Sequence, residues 1–203
     1  MSQVKYRVLA FLARHHGFNG LEHLFKDPRF EVVAVVTHRR NPKSEDADRK
    51  ERKDFCEFEM ITTEHNTPLH FVDTNKEALS LGEKISTWDF DLIASISWRR
   101  LIPEEQLNQA KIAGVNLHRG KLPQYAGAEP IKQALLKKEK EIFIDAHILD
   151  KEIDNGKVLA QYCHPTSYRK VDSLEENISR LKRELTPHFG PLLIKSIEQC
   201  LEI

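Results

Sequence analysis

Apolar residues along this chain come in short runs separated by stretches with helical spacing. Residues 8–13 (VLAFLA) and 30–36 (FEVVAVV) are two such runs, the second rich in β-branched side chains. Between them, Leu21, Leu24 and Phe25 fall on one face of a helix. The pattern repeats downstream: residues 69–72 and 92–96 read as strands, with Ala78, Leu79, Leu81 and Ile85 spaced for a helix in between. The order βαβαβ predicts a parallel sheet, and residues 114–117 (GVNL) would add a fifth strand. Right-handed crossovers cover both faces of such a sheet with helices, which leaves the carboxyl ends of the strands for ligands. Function is therefore expected after Ala13, Ser97 and Leu117.

The second half changes character. Residues 142–149 (IFIDAHIL) and 158–163 (VLAQYC) read as two strands joined by an acidic loop containing Gly156. Pro130 suits the first position of a helix over residues 131–137, and a last helix spans residues 172–201, kinked or broken near Pro187 and Pro191. Residues 39–54 (RRNPKSEDADRKERKD) hold almost no apolar side chain and read as a surface loop or frayed helix. A solvated face is the first reading of that run; a mobile lid or a contact to an anionic substrate is the second. With no internal repeat and no linker, the expectation is one domain over residues 1–203, of α/β class, with a Rossmann-like, doubly wound, mostly parallel sheet.

Composition narrows the partners. Hydrophobic residues make up 40% and charged residues 31%, a globular profile without an uncharged stretch for a membrane span. Lys plus Arg and Asp plus Glu both number 31, so no net basic field would hold a nucleic-acid backbone. Cys56, Cys163 and Cys200 are widely spaced, which suggests neither a disulfide framework nor a zinc site, and a reducing cytoplasm fits. The first five residues lack the basic-then-apolar design of a signal peptide.

Candidate chemistry concentrates after the fifth strand. Asn116 and His118, two residues apart at a strand end, project from the same face and can act on one atom. Leu122, Pro123, Tyr125 and Gly127 follow as a rigid turn region, and Asp154 lies on the acidic loop that Gly156 lets bend. Taken singly, each has a plainer reading: a lone His is more often surface or core, an Asp before Asn-Gly is usually a turn residue, and a Tyr in a turn region often serves packing alone, which is the plainer reading of Tyr125. His147, on an alternating strand, either faces solvent or supports Asp154. His15 and His16 have no metal partner in the sequence.

Asn-x-His at 116–118, the Leu-Pro-x-Tyr-x-Gly that follows, and the later Asp-x-Gly together resemble the 10-formyltetrahydrofolate-dependent formyltransferases. The resemblance covers the central third of the chain. It implies Asn116, His118 and Asp154 as a catalytic trio, 10-formyltetrahydrofolate as co-substrate, and no metal. A histidine titrating near neutrality suits removal of a proton from an attacking amine, an asparagine amide suits a developing oxyanion, and a carboxylate beside the imidazole orients it and relays protons. The resemblance further implies that the pterin lies between two segments, gripped largely by backbone groups, with Ser97, Trp98, Arg99, Arg100, Leu101 and Ile102 on one side and Leu149, Asp150 and Ile153 on the other. A planar heterocycle could pack on Trp98.

Three departures bear on the acceptor: Gly120 stands where many relatives have Ser, Ala126 where they have a basic residue, and Asp145 where Thr is frequent. Glycinamide ribonucleotide enzymes usually carry a Gly-Ser-Asn phosphate loop after the first strand, where this chain reads Ala13-Arg14-His15-His16. Methionyl-tRNA formyltransferases are similar at residues 128–131 but carry a further domain that helps hold tRNA. Residues 37–39 and 97–103 look similar to the branch that formylates amino sugars on nucleotides. The expected acceptor is accordingly the amine of a sugar nucleotide, met near Arg14, His15, His16 and Tyr125, in a chain that could pair as a homodimer and has no stable nucleic-acid or membrane partner. The alternatives are a phosphoribosylglycinamide formyltransferase and a non-catalytic folate- or nucleotide-binding domain. A dinucleotide-dependent oxidoreductase is disfavoured because no Gly-x-Gly-x-x-Gly follows the first strand.

Overall fold

The computed structural model describes residues 5–202. Seven strands form one sheet in the order β3-β2-β1-β4-β5-β6-β7. They are β1 (Tyr6–Leu12), β2 (Phe30–Thr37), β3 (Leu69–Phe71), β4 (Leu92–Ile96), β5 (Ala113–His118), β6 (Glu141–Ile148) and β7 (Val158–Pro165). The first five run parallel, while β6 pairs antiparallel with β5 and β7 antiparallel with β6. The expected doubly wound, mostly parallel sheet is present.

Alternation along β1 explains the two cores. Val8, Ala10 and Leu12 join a cluster with Leu21 and Leu24 of α1 (Arg14–Lys26) and Leu193 and Ile197 of the last helix, whereas Leu9 and Phe11 meet Leu81 and Ile85 of the helix Asn75–Ile85 on the opposite face. Every residue of β4 is buried, as a strand covered on both faces must be, which is why it reads as a continuous apolar run.

Two helices were not expected from the sequence. Helix α2 (Phe55–Glu64) buries Phe55, Phe58 and Thr62, a helical spacing masked by the charged and exposed residues around it. With α3 (Asn75–Ile85) closed by a Thr74/Glu77 capping box, the other short one is α4 (Glu104–Gln109), which buries no residue. Helix α5 (Pro130–Leu136) begins at its proline as expected. The final helical stretch is two helices, α6 (Leu174–Leu185) and α7 (Phe189–Leu201), separated by a 3-10 turn at Thr186–His188. Pro187 falls in that break, but Pro191 sits in the first turn of α7, where its missing N–H leaves no helical bond unmade.

The charged segment 39–54 is more ordered than a solvated face. Arg40 forms an isolated antiparallel backbone bridge with Glu51, and Arg52 is 2% exposed with its Nε and Nη2 on Asp54, at 3.0 and 2.7 Å. Arg52 also donates to the Thr37 hydroxyl at 3.3 Å and the His38 carbonyl at 2.5 Å, fixing the segment to the carboxyl end of β2. Among the described residues, no helix is long and apolar enough to cross a membrane.

Candidate active site

The antiparallel pairing of β5 and β6 sets His147 directly opposite Asn116, and Asp145 opposite His118. Cross-strand partners share a face, so Asn116, His118 and His147 gather beneath the loop that follows β6. That loop delivers Asp154 with a left-handed backbone, φ 51°. Gly156 lets the loop return to the strand: a Cβ there would sit 1.8 Å from the Ile148 carbonyl oxygen.

The carboxylate of Asp154 is the hub. One oxygen lies 3.2 Å from His118 Nδ1 and accepts the Gly127 N–H at 2.9 Å; the other lies 3.4 Å from both His147 Nε2 and Asn116 Nδ2. Hydrogen-bond polarity fixes the rings. His118 Nε2 is 2.6 Å from the Tyr125 carbonyl, which only accepts, so Nε2 carries the proton of the neutral ring and Nδ1 holds the lone pair. His147 Nδ1 faces its neighbour's carbonyl, Ile148 O, at 2.8 Å, so in the neutral ring Nε2 accepts from Asn116 Nδ2 at 3.0 Å. His147 thereby orients the Asn116 amide.

Electrostatics suit a neutral histidine beside an ionised acid. Burial pushes His118 below its ordinary value, outweighing the Asp154 charge and the Tyr125 carbonyl, which act the other way. Burial works against the charge on Asp154, but its contacts with His147, His118 and the Gly127 N–H prevail and hold it below the usual carboxylate range.

Other expected site residues are scattered. Tyr125 is 5% exposed and its hydroxyl donates to Glu139 at 2.6 Å, while its backbone carbonyl is the atom that meets His118. His16 is buried and stacked on Phe189 at 4.4 Å. His15 is exposed and lies 3.5 Å from Glu57 of α2. Arg14 pairs with Glu45 of the charged segment and donates to Asn41 at 3.3 Å.

After β4, Ser97 adopts a left-handed backbone and Trp98 stacks on His38 at 4.0 Å, which covers one face of the indole. Arg99 and Arg100 turn to Asp73, through its carboxylate and its backbone carbonyl respectively. Ile102 is a core residue, while Leu101 and Ile153 expose 62% and 63% of their surface. Leu149 is half-buried against the Trp98 side of the sheet, and Asp150 is exposed.

The departures at Asp145 and Gly120 have structural causes. Asp145 is wholly buried, accepting from the Leu122 N–H at 2.8 Å and Gln161 at 2.7 Å, and so ties down the turn that follows His118. At Gly120 a Cβ would come within 2.8 Å of the Tyr125 carbonyl oxygen, the same oxygen that holds His118. The contacts that sequence reasoning missed are the Tyr125 carbonyl, the Gly127 N–H and the Asp145 anchor, two of them backbone groups without a residue-type signature.

A family model described as formyl transferase matches residues 9–188, most of the chain and all of this cluster. The chain belongs to the formyl transferase family. Among curated formyl transferases it is similar to methionyl-tRNA formyltransferase of Staphylococcus epidermidis, 29% identical over 172 residues, covering 84% of this chain and 54% of that one. The chain spans about half the length of the first such relatives it matches. Two solved structures share the fold. Formyltetrahydrofolate deformylase of Pseudomonas syringae superposes with a TM-score of 0.72 at 19% identity, over 97% of this chain and 61% of that one. Phosphoribosylglycinamide formyltransferase of Bacillus halodurans gives 0.66 at 18%, over 94% of each chain. Among the described residues of this family member, no three His, Cys, Asp or Glu side chains gather as a metal site would require.

Proposed function

We propose that this chain transfers the formyl group of 10-formyltetrahydrofolate to the amine of an amino-sugar nucleotide, with Asn116, His118 and Asp154 at the reaction centre. The observation that carries the reading is the convergence of these three side chains, from a strand end and a loop 36 residues apart, around one carboxylate. The amine nitrogen attacks the formyl carbon, and an N–C bond forms as the carbonyl becomes an oxyanion. His118 takes the amine proton at Nδ1, since Nε2 already donates to Tyr125. The resulting imidazolium lies 3.2 Å from the Asp154 carboxylate, whose charge stabilises it. Of the two Asn116 amide hydrogens, His147 holds one, and the other, held by Asp154 only at a long 3.4 Å, is the one the oxyanion shares. Collapse breaks the bond between the formyl carbon and folate N10, and N10 recovers the proton through the His118–Asp154 pair.

In this reading the folate ring lies between the loop after β4 and the loop after β6, whose exposed Leu101 and Ile153 offer it apolar surface. The acceptor class rests on the similarity of residues 37–39 and 97–103 to the amino-sugar branch, and on Arg14 opening α1 where a glycine-rich phosphate loop would stand. The test is release of tetrahydrofolate, followed by absorbance, against a panel of amino-sugar nucleotides with glycinamide ribonucleotide and methionyl-tRNA alongside. Turnover with an amino-sugar nucleotide supports the reading. Turnover with another acceptor alone replaces the acceptor, and folate binding without turnover on any amine removes the transferase reading.

A further inference from the structure

In the transferase reading the loop after β4 receives the folate, and its backbone is not self-supporting. Ser97 turns the chain out of the strand at φ 56°, a left-handed conformation that a residue with a Cβ keeps only where its surroundings hold it there. Those surroundings come from the ends of β2 and β3. His38, directly after β2, is 1% exposed and stacks on the Trp98 indole, with centroids 4.0 Å apart and planes 7° from parallel. Phe11 of β1 also meets the indole, at 5.2 Å.

Hydrogen-bond polarity gives the His38 ring a direction. Its Nδ1 lies 2.6 Å from the Val72 carbonyl oxygen, which only accepts, so Nδ1 carries the proton of the neutral ring and Nε2 accepts the Arg99 N–H at 3.4 Å. Burial first, and the Arg99 charge next, favour that neutral form. One imidazole therefore joins three strand ends: it follows β2, donates to the residue after β3 and accepts from the loop after β4. The side chains of the loop lead the same way. Arg99 donates to the Arg40 carbonyl at 3.0 Å and to the Asp73 carboxylate at 3.1 Å. Arg100 donates to the Asn75 side chain at 3.0 Å and to the Asp73 carbonyl at 3.3 Å. Leu101, next along, stays exposed.

We propose that His38 is a positioning residue for the folate: it touches no part of the co-substrate, but holds residues 97–102 in the shape that receives the ring. The inference rests on the transferase reading and assigns co-substrate affinity to a buried residue at the end of β2. A preset wall removes the ordering cost that a loose loop adds to binding, so loss of the clamp is read in folate affinity and not in the chemical step.

Equilibrium binding of 5-formyltetrahydrofolate, a folate with no formyl group on N10, to the intact chain measures this without turnover. His38→Phe keeps a flat ring over Trp98 but leaves the Arg99 N–H without its acceptor, and its dissociation constant is expected to rise about tenfold. His38→Asn places an amide nitrogen near the position of Nδ1, keeps the bond to Val72 alone, and is expected to match His38→Phe. His38→Gln places an amide oxygen near the position of Nε2, accepts the Arg99 N–H, and is expected to stay within about threefold of the unmodified chain. In steady-state rates the KM for folate should follow the same order, with kcat changed less than about threefold. Both amides lose the ring stack, so a merely structural histidine would make them equal; this comparison decides the matter should a thermal melt show His38→Phe to fold poorly. Unchanged affinity in all three variants, or an equal loss in the two amides, overturns the inference and leaves the transferase reading standing. Absence of folate binding by the unmodified chain overturns both.

Discussion

Asp154→Asn separates an active imidazole–carboxylate pair from a merely structural one. The substitution keeps size and shape, and an amide oxygen can still accept the Gly127 N–H, now 2.9 Å from the carboxylate. What it removes is the charge facing His118 at 3.2 Å. At an effective dielectric near 20 the attraction between carboxylate and imidazolium at that distance is about 5 kcal/mol, a ceiling that the water touching these 10%-exposed side chains reduces. If most of it acts as the imidazolium forms, kcat falls by roughly 10²–10³-fold, equivalent to about 3–4 kcal/mol. The pH dependence carries a sign. His118 already lies below its ordinary value of 6.5 because burial outweighs Asp154, so the acid limb of kcat/KM is expected below 6.5. Without the carboxylate nothing opposes burial except the Tyr125 carbonyl, and the limb moves further to acid. Steady-state rates across pH, with folate affinity measured separately, check both effects. A rate within about threefold of the unmodified chain, or an acid limb that moves to higher pH, refutes the reasoning.

Asn116→Ala is expected to lower kcat by about 10²-fold, close to 3 kcal/mol, with folate affinity little changed; a loss under about threefold in steady-state rates would take Asn116 out of the oxyanion role. Arg52→Ala removes the partner of the buried Asp54 and is expected to cost about 3–5 kcal/mol in urea denaturation, and a loss below about 1 kcal/mol would show that the segment is held elsewhere. His38, stacked under Trp98, is pushed down to about 3 by burial first and Arg99 next, so its contribution to stability is whole above pH 6.5 and drains away as pH falls towards 3. Between pH 7 and pH 5 the unmodified chain should therefore lose about 2 kcal/mol more than His38→Gln, and parallel stability curves would contradict the assignment.

The sheet was legible because its central strands are buried on both faces and so read as unbroken apolar runs, β4 most plainly. Asn116 and His118 were legible as a pair because strand geometry alone puts positions two apart on one face. The same reasoning could not reach α2, whose Phe55, Phe58 and Thr62 stand among charged residues. Nor could it see that Tyr125 contributes a carbonyl and not a phenol, or that Gly127 contributes an N–H, since a backbone group leaves no mark on residue type. His16 was expected near the acceptor from its place after β1, and its burial depends on Phe189 and Thr186, more than 160 residues away. Charge runs misled in the same way: Arg52 looks like its neighbours in sequence and differs from them only through Asp54 and the end of β2.

The most direct test of the central claim follows the formyl carbon itself. With 10-formyltetrahydrofolate labelled in the formyl group and an amino-sugar nucleotide as acceptor, label should move to the acceptor nitrogen in step with tetrahydrofolate release, and His118→Asn should abolish nearly all of that movement while still folding. Label appearing as free formate at the same rate with or without an acceptor, or full transfer by His118→Asn, would contradict the account.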